Sequence, residues 1–166
     1  MQYHSQPLDP EQHSLDGFSC GTPSLDDWLQ RTALTAEARG TARTWVWVDE
    51  GSGRVVAYYA LAARKVAPQA VPSRLRTGSA EIPAVLLSRL ALDQTLRGQS
   101  LGPVLIADAL ARVVDATRMV GARLVVVDAL SEAVAVKVYE PLGFRRVPGS
   151  LLLVQRVADI AAALSD

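Results

Sequence analysis

The stretch "LRGQSLGPVLIADAL", Leu96 to Leu110, sets two glycines and a serine immediately ahead of a helix-like run. Backbone N–H groups in such a turn, aligned with a helix dipole, make a site for an anion such as a phosphate. Connectors between strands and helices carry the same composition without any ligand, so both accounts fit the turn taken alone. Tyr139, in "AVKVYEPLGF", is a second residue with chemistry to offer. A phenol with a pKa near about 10 is neutral at pH 7 and can give up a proton. An aromatic at that place equally packs a helix onto a sheet with its hydroxyl at the rim. Other catalytic sets are thin. His4 and His13 are the only histidines and lie near the N-terminus, and Cys20 is the single cysteine. A Cys/His metal site and a histidine-based triad are therefore disfavoured.

The chain that must position these residues has 166 of them, enough for one domain with a real core. Apolar residues make up 49%, and 17 basic residues balance 17 acidic ones, so bulk charge does not announce a nucleic-acid partner. One cysteine excludes an internal disulfide framework and fits a reducing compartment. No apolar run reaches membrane-spanning length, and "MQYHSQPLDPEQ" lacks a signal-peptide core. The expectation is a soluble, cytoplasmic protein that uses no membrane.

Periodicity predicts the elements. "SLDDWLQRTALTAEARG" spaces Leu25, Trp28, Leu29, Thr32, Ala33 and Ala36 as one helix face, with Ser24 as cap and Gly40 as terminator. "TARTWVWVDE" and "RVVAYYALAAR" flank "GSG" as a β-hairpin. Residues 66–83, rich in proline, read as a loop with room for a short helical turn. "AVLLSRLALD" reads as a central strand with both faces covered. "PVLIADALARVVDATRMVG" reads as a helix opened by Pro103, with a stripe of Val104, Leu105, Leu110, Val113 and Val114 and a stop at Gly121. "ARLVVVDA" is a strand, "SEAVAVKVYEPLG" a helix and "FRRVPGSLLLVQRV" a closing pair of strands. This order predicts a mixed sheet with helices on its faces.

Four of these segments, in order, resemble the GNAT N-acetyltransferases. They are "LSRLALD", the turn Arg97-Gly98-Gln99-Ser100-Leu101-Gly102, "LVVVDA", and a late helix with Ala135 and Tyr139 followed by the Gly143–Phe144 pair. The N-terminal half, with "FSCGTPSLDDWLQ", "ARGTARTWVWV" and "VVAYYALA", is similar to the subgroup that acts as toxins of toxin–antitoxin pairs. The resemblance implies an α/β (α+β) fold: one domain over 1–166, a mixed, mostly antiparallel sheet flanked by helices, and central strands splayed at the acetyl-CoA site. It implies acetyl-CoA as cosubstrate, no metal, and transfer of acetyl to the α-amine of aminoacyl-tRNA, blocking translation. A ribbon-helix-helix antitoxin would be the restraining partner, and a homodimer is a further expectation. The alternatives are a GNAT enzyme for a small amine or a protein N-terminus, and a catalytically idle partner of an antitoxin.

The same resemblance implies the site residues. Arg97, Gly98, Gln99, Ser100, Leu101, Gly102 and Pro103 would meet the pyrophosphate, Leu90, Ala91 and Leu92 the pantetheine, and Ala135 the cofactor as well. Ser100 stands where the family mostly has glycine, and its Cβ disfavours positive φ. Pro103 removes one N–H from the helix start. The Ser100 hydroxyl can donate to a phosphate instead, so weakened rather than lost binding is expected there. Tyr139 would protonate the leaving sulfur. No base stands out, and Glu132 reads as a solvated helix residue. An α-amine near about 8 is partly neutral at pH 7, whereas a lysine near about 10.4 is not, so a site without a base suits the former. From Gly51 to Ala80 there is no acidic residue. Arg64, Lys65, Arg74 and Arg76, with Arg89 beyond, are the expected contacts to tRNA phosphates, a solvated basic loop being the other account.

Overall fold

The protein's structure, a computed structural model, describes residues 3–166. Its strands are β1 (Gln6–Pro7), β2 (Arg43–Asp49), β3 (Arg54–Val66), β4 (Ile82–Leu92), β5 (Leu124–Asp128), β6 (Arg145–Arg146) and β7 (Leu152–Arg156). They form one sheet in the order β1-β2-β3-β4-β5-β7-β6. The β1–β2, β2–β3, β5–β7 and β6–β7 pairs are antiparallel and β4–β5 is parallel, which gives the mixed, mostly antiparallel sheet expected of the sequence. The chain divides into two compact units. One holds the described residues up to Ala62 with Ser88–Ala109, the other Ala63–Leu87 with Leu110–Asp166.

In the first unit a helical segment runs as α1 (Pro23–Asp27), a π-wound turn (Trp28–Thr32) and α2 (Ala33–Arg39). Leu25, Leu29 and Ala33 recur every four residues, and the wider π turn keeps them on one face. That face packs with Phe18, Val46, Val55, Tyr58 and Ala91 into a core. The cap differs from expectation. Thr22 precedes the helix and Pro23, whose ring pre-sets the helical φ, opens it one residue before Ser24. The Cys20 N–H donates to Asp26 Oδ1 at 2.8 Å. Gly40, with φ +71°, ends α2 as the sequence predicts. The β2–β3 hairpin forms around "GSG", with a bulge between Trp47 and Val48.

Asp93, at the end of β4, ties this unit together. The residue is 1% exposed, and its carboxylate accepts from Ser19 N–H at 2.9 Å, Thr95 N–H at 3.0 Å, the Thr95 hydroxyl at 2.7 Å and Arg54 at 3.0 Å. Burial alone would raise this carboxyl. The Ser19 N–H, the two Thr95 donors and the Arg54 guanidinium outweigh that and hold it below the ordinary carboxylate range.

The second unit is built on β5, whose Leu124–Val127 are all buried. Antiparallel pairing runs from Leu124 against Arg156 to Asp128 against Leu152. Residues 66–83 hold two short 3₁₀ turns, Pro68–Ala70 and Ser73–Leu75, and Ile82 already starts β4. Val71, Leu75, Ile82 and Val154 share a core. A C-terminal helix, α5 (Val157–Ser165), follows β7 directly, with no glycine or proline at the junction to mark the change of period in the sequence.

Helix α3 (Gly102–Thr117) buries Leu105, Ile106, Ala109, Leu110, Val113 and Val114, spacings that fit one helix face. Val104, expected in that stripe, is 50% exposed, because a step of one residue turns it about 100° away. The helix also stops before Gly121. The Arg118, Met119 and Val120 N–H groups close onto Asp115 and Ala116 carbonyls, and Met119 and Val120 are exposed with no core to extend the helix toward. The face of β4 is only partly covered: Ala84, Leu87 and Ala91 are buried and its other apolar residues beyond Ala84 half-buried.

Replacing Asp93 by asparagine is expected to cost about 2–4 kcal/mol of unfolding free energy at neutral pH. The folded carboxyl titrates below its unfolded value of about 4, so its stabilisation is whole above that pH and is lost as pH falls through the folded value. Urea unfolding of wild type and Asp93→Asn should therefore show a gap at pH 7 that shrinks by pH 3.

Candidate active site

The turn singled out in the sequence follows Asp93 directly. Asp93 caps a 3₁₀ turn, Gln94–Leu96, and Arg97 is extended. Gly98 has φ +79° and Ser100 φ +56°, the only non-glycine residue with positive φ among the described residues. Among the described residues no backbone N–H from Gly98 to Gly102 donates to another group; the next closed bond is Leu105 N–H to the Leu101 carbonyl at 2.9 Å. Pro103, second in α3, has no N–H to leave unpaired. Five consecutive donors leading into a sixteen-residue helix place partial positive charge at its start. The Arg97 guanidinium folds back from the turn and donates to the Cys20 carbonyl at 2.9 Å. Gln99 is exposed, its side chain reaching back to the Thr95 carbonyl at 3.5 Å.

Leu90, Ala91 and Leu92 lie just before this turn on β4. The parallel ladder with β5 pairs Ala84–Leu87 with Leu124–Val127 and ends there, while β4 runs on to Leu92. Along this second half Ser88 Oγ donates to the Ala60 carbonyl at 3.3 Å and Asp93 N–H to the Val56 carbonyl at 2.8 Å. Ala91 points its methyl into the core beside Tyr58, and the two leucines are half-buried. The strand is thus tied to β3, and its ladder with β5 stops at Leu87, three residues before the expected pantetheine contacts begin.

In the second unit Tyr139 ends the middle turn of a helical segment wound in three ways. Ser131 caps it, its Oγ accepting the Val134 N–H at 3.2 Å. Then come α4 (Glu132–Val134), a π turn (Ala135–Tyr139) and a 3₁₀ turn (Glu140–Leu142). Gly143 ends the segment at φ +97°, where a Cβ would also meet the Gln155 amide at 2.8 Å. The chain reverses there, and the Phe144 N–H donates to the Tyr139 carbonyl at 3.3 Å. The two rings meet edge to face with centroids 5.8 Å apart. Tyr139 is 7% exposed and burial alone raises its phenol to about 12. Among the described residues its hydroxyl has no hydrogen-bond partner, and it is not among the sealed polar atoms, so the tip reaches solvent. Ala135 is fully buried.

Glu132 is a solvent-exposed helix residue, as expected, and it also carries an ion pair. Arg146 NH1 reaches its two carboxylate oxygens at 2.6 and 2.7 Å, and NH2 lies 3.6 Å from Glu140. One guanidinium thus fastens both ends of the segment that carries Tyr139. Sequence spacing held no sign of it, because the partners are fourteen and six residues apart.

The basic residues fall in different settings. Arg64 and Lys65 are successive on β3 and point to opposite faces. Arg74 and Arg76 are exposed around the Ser73–Leu75 turn, Arg76 donating to the Val71 carbonyl at 3.1 Å. Arg89, in the other unit, lies 5.4 Å over the Trp28 ring. Among the described residues no group of three or more His, Cys, Asp or Glu could hold a metal ion.

No protein-family model matches the chain. It is 42% identical over 119 residues to a tRNA-acetylating toxin of Mycobacterium tuberculosis strain H37Rv, a match covering 71% of this chain and 70% of that protein. Among solved structures it resembles AtaT complexed with acetyl-methionyl-tRNAfMet, with a TM-score of 0.86, 25% identity, and coverage of 98% of this chain and 99% of that one. It also resembles AtaTR bound with acetyl-CoA, with a TM-score of 0.82, 27% identity and coverage of 97% of each chain.

Backbone strain at the two turns is measurable. Ser100→Gly relieves a left-handed conformation that costs a side chain about 1–2 kcal/mol, against about 0.5–1 kcal/mol of added chain entropy, so stability should rise by a few tenths up to about 1 kcal/mol. Gly143→Ala should lose about 1–3 kcal/mol. Thermal or urea unfolding of the two variants checks the opposite signs.

Proposed function

This chain belongs to the tRNA-acetylating toxins of the GNAT acetyltransferases, and on that premise we propose that it transfers acetyl from acetyl-CoA to the α-amine of an aminoacyl-tRNA, blocking translation. The observation that carries the reading is the run of free N–H groups from Gly98 to Gly102 at the start of α3. That donor set fits a pyrophosphate, and the half-strand Leu90–Leu92, past the end of its ladder with β5, fits the amides of a pantetheine arm, as an added strand would pair. Arg97, Gln99, Leu101 and Pro103 shape the turn, while Ala135, being fully buried, serves the packing of the Tyr139 segment rather than cofactor contact. Acetyl-CoA supplies an acyl group activated as a thioester.

Tyr139 Oη holds the proton that the departing sulfur takes as the new amide bond forms. With its phenol at about 12 it stays protonated across the physiological range. Burial raises the proton affinity of a thiolate in the same sense, so the transfer is not left far uphill. The amine's own proton goes to water. An α-amine near about 8 has enough neutral form at pH 7 to attack without a dedicated base. Arg64, Lys65, Arg74, Arg76 and Arg89 receive the tRNA phosphates. A small ribbon-helix-helix antitoxin restrains the enzyme, which works as a homodimer, and its substrate places it in the cytoplasm. Among the described residues no helix is long and apolar enough to cross a membrane.

Incubation with labelled acetyl-CoA and total charged tRNA, followed by mass analysis of the released amino acids, should yield N-acetyl amino acids. Unmodified amino acids alone would overturn the reading. Tyr139→Phe should lower kcat by about a hundredfold or more and leave acetyl-CoA affinity unchanged by calorimetry. The wild-type rate should rise toward an alkaline limb near about 8 and stay level to pH 10, since the acid does not deprotonate in that range. Combined reversal of Arg64, Lys65, Arg74 and Arg76 to glutamate should raise KM for charged tRNA and spare the acetyl-CoA Kd.

A further inference from the structure

We propose that Trp28 is a positioning residue that holds Arg89 as the receptor for a backbone phosphate of the tRNA acceptor end. The inference rests on the tRNA-acetylating reading above. Arg89 is half-buried on β4, one residue before Leu90–Leu92 and on the same face as Ala91. Its guanidinium lies 5.4 Å above the Trp28 ring, and NH1 donates to the Ser88 carbonyl at 2.9 Å. No carboxylate among the described residues pairs with it, in contrast to Arg54, Arg146 and Arg156.

The ring beneath is itself fixed. Trp28 stacks on Tyr58 with centroids 5.9 Å apart and planes 6° from parallel. Tyr58 is fully buried, its hydroxyl donating to the Leu25 carbonyl at 2.6 Å, and Phe18 meets it edge-on at 5.5 Å. Three aromatic rings in contact therefore support one cation. An indole face orients a guanidinium without neutralising it, whereas a carboxylate would do both. Seated over a ring, the guanidinium keeps in-plane N–H groups open at its edge, and that planar fork matches two phosphate oxygens. A half-buried, oriented and uncompensated cation is a poor stabilising device and a good anion receptor. The cofactor also carries phosphates, so the experiment must separate the two sources.

Aminoacyl-tRNA acetylation is measured against salt for wild type, Arg89→Met, Trp28→Leu, Trp28→Phe and the Arg89→Met/Trp28→Leu pair, with acetyl-CoA affinity measured by calorimetry on each. Arg89→Met should raise KM for charged tRNA about tenfold and reduce the slope of log(kcat/KM) against log[salt] by about one. Trp28→Leu should raise KM severalfold and add nothing once Arg89 is methionine, because it acts through Arg89. Trp28→Phe retains a ring and should restore most of the affinity, which separates positioning from a folding loss. The acetyl-CoA Kd should not move in any of them. An unchanged salt slope in Arg89→Met, losses that multiply in the double variant, or a weakened acetyl-CoA Kd with tRNA affinity intact would each overturn the assignment while leaving the acetyltransferase standing. Wild-type protein that acetylates no charged tRNA would overturn both.

Discussion

Asp93 is nearly sealed from solvent, yet its two oxygens accept four hydrogen bonds from three separate stretches of chain. A carboxylate in such a place is stable only if every lone pair it brings is met, so its charge dictates the positions of Ser19, Arg54 and Thr95. The effect reaches further along the chain. With the 3₁₀ turn capped by Asp93 and Arg97 drawn to the Cys20 carbonyl, the backbone enters Gly98 with its direction already set. The amides from Gly98 to Gly102 then find no acceptor within the protein, in a turn held open by bonds made before it begins.

The second unit answers a different need with other means. Tyr139 is buried along its ring, and its hydroxyl is left without a partner among the described residues. Three kinds of helical winding in succession place it, and each boundary has a cause: Ser131 as cap, a π turn from Ala135, Pro141 in a 3₁₀ turn, and Gly143 at a φ that suits glycine. Phe144 then folds back against the ring. Arg146 pairs with Glu132 in the first turn of this uneven segment and lies 3.6 Å from Glu140 in its last.

Much of this was legible in the sequence where one local rule decides the outcome. The "GSG" hairpin, the termination at Gly40, the turn from Arg97 to Gly102 and the Tyr139–Gly143–Phe144 spacing all belong to that class. Errors came where two local signals compete. Pro23 overrode Ser24 at the helix start, Val104 sat one residue off the true stripe, and the run "LLLVQRVADIAAAL" passes from strand to helix without a glycine or proline to mark the change. Contacts across elements were not legible at all. Trp28 read as one more apolar position on a helix, and nothing in its spacing announced Tyr58 below it or Arg89 above it. Arg146 read as part of a strand, since an ion pair leaves no periodic trace.

The unpaired turn has one more property. Amide protons without an acceptor exchange with solvent far faster than those in a helix or ladder. Gly98 to Gly102 therefore form a natural isotope-exchange reporter: five neighbouring deuterium clocks that run fast when the turn is bare and slow down together when an anion takes their hydrogen bonds. Occupancy can be followed at those residues without a label, a chromophore or turnover.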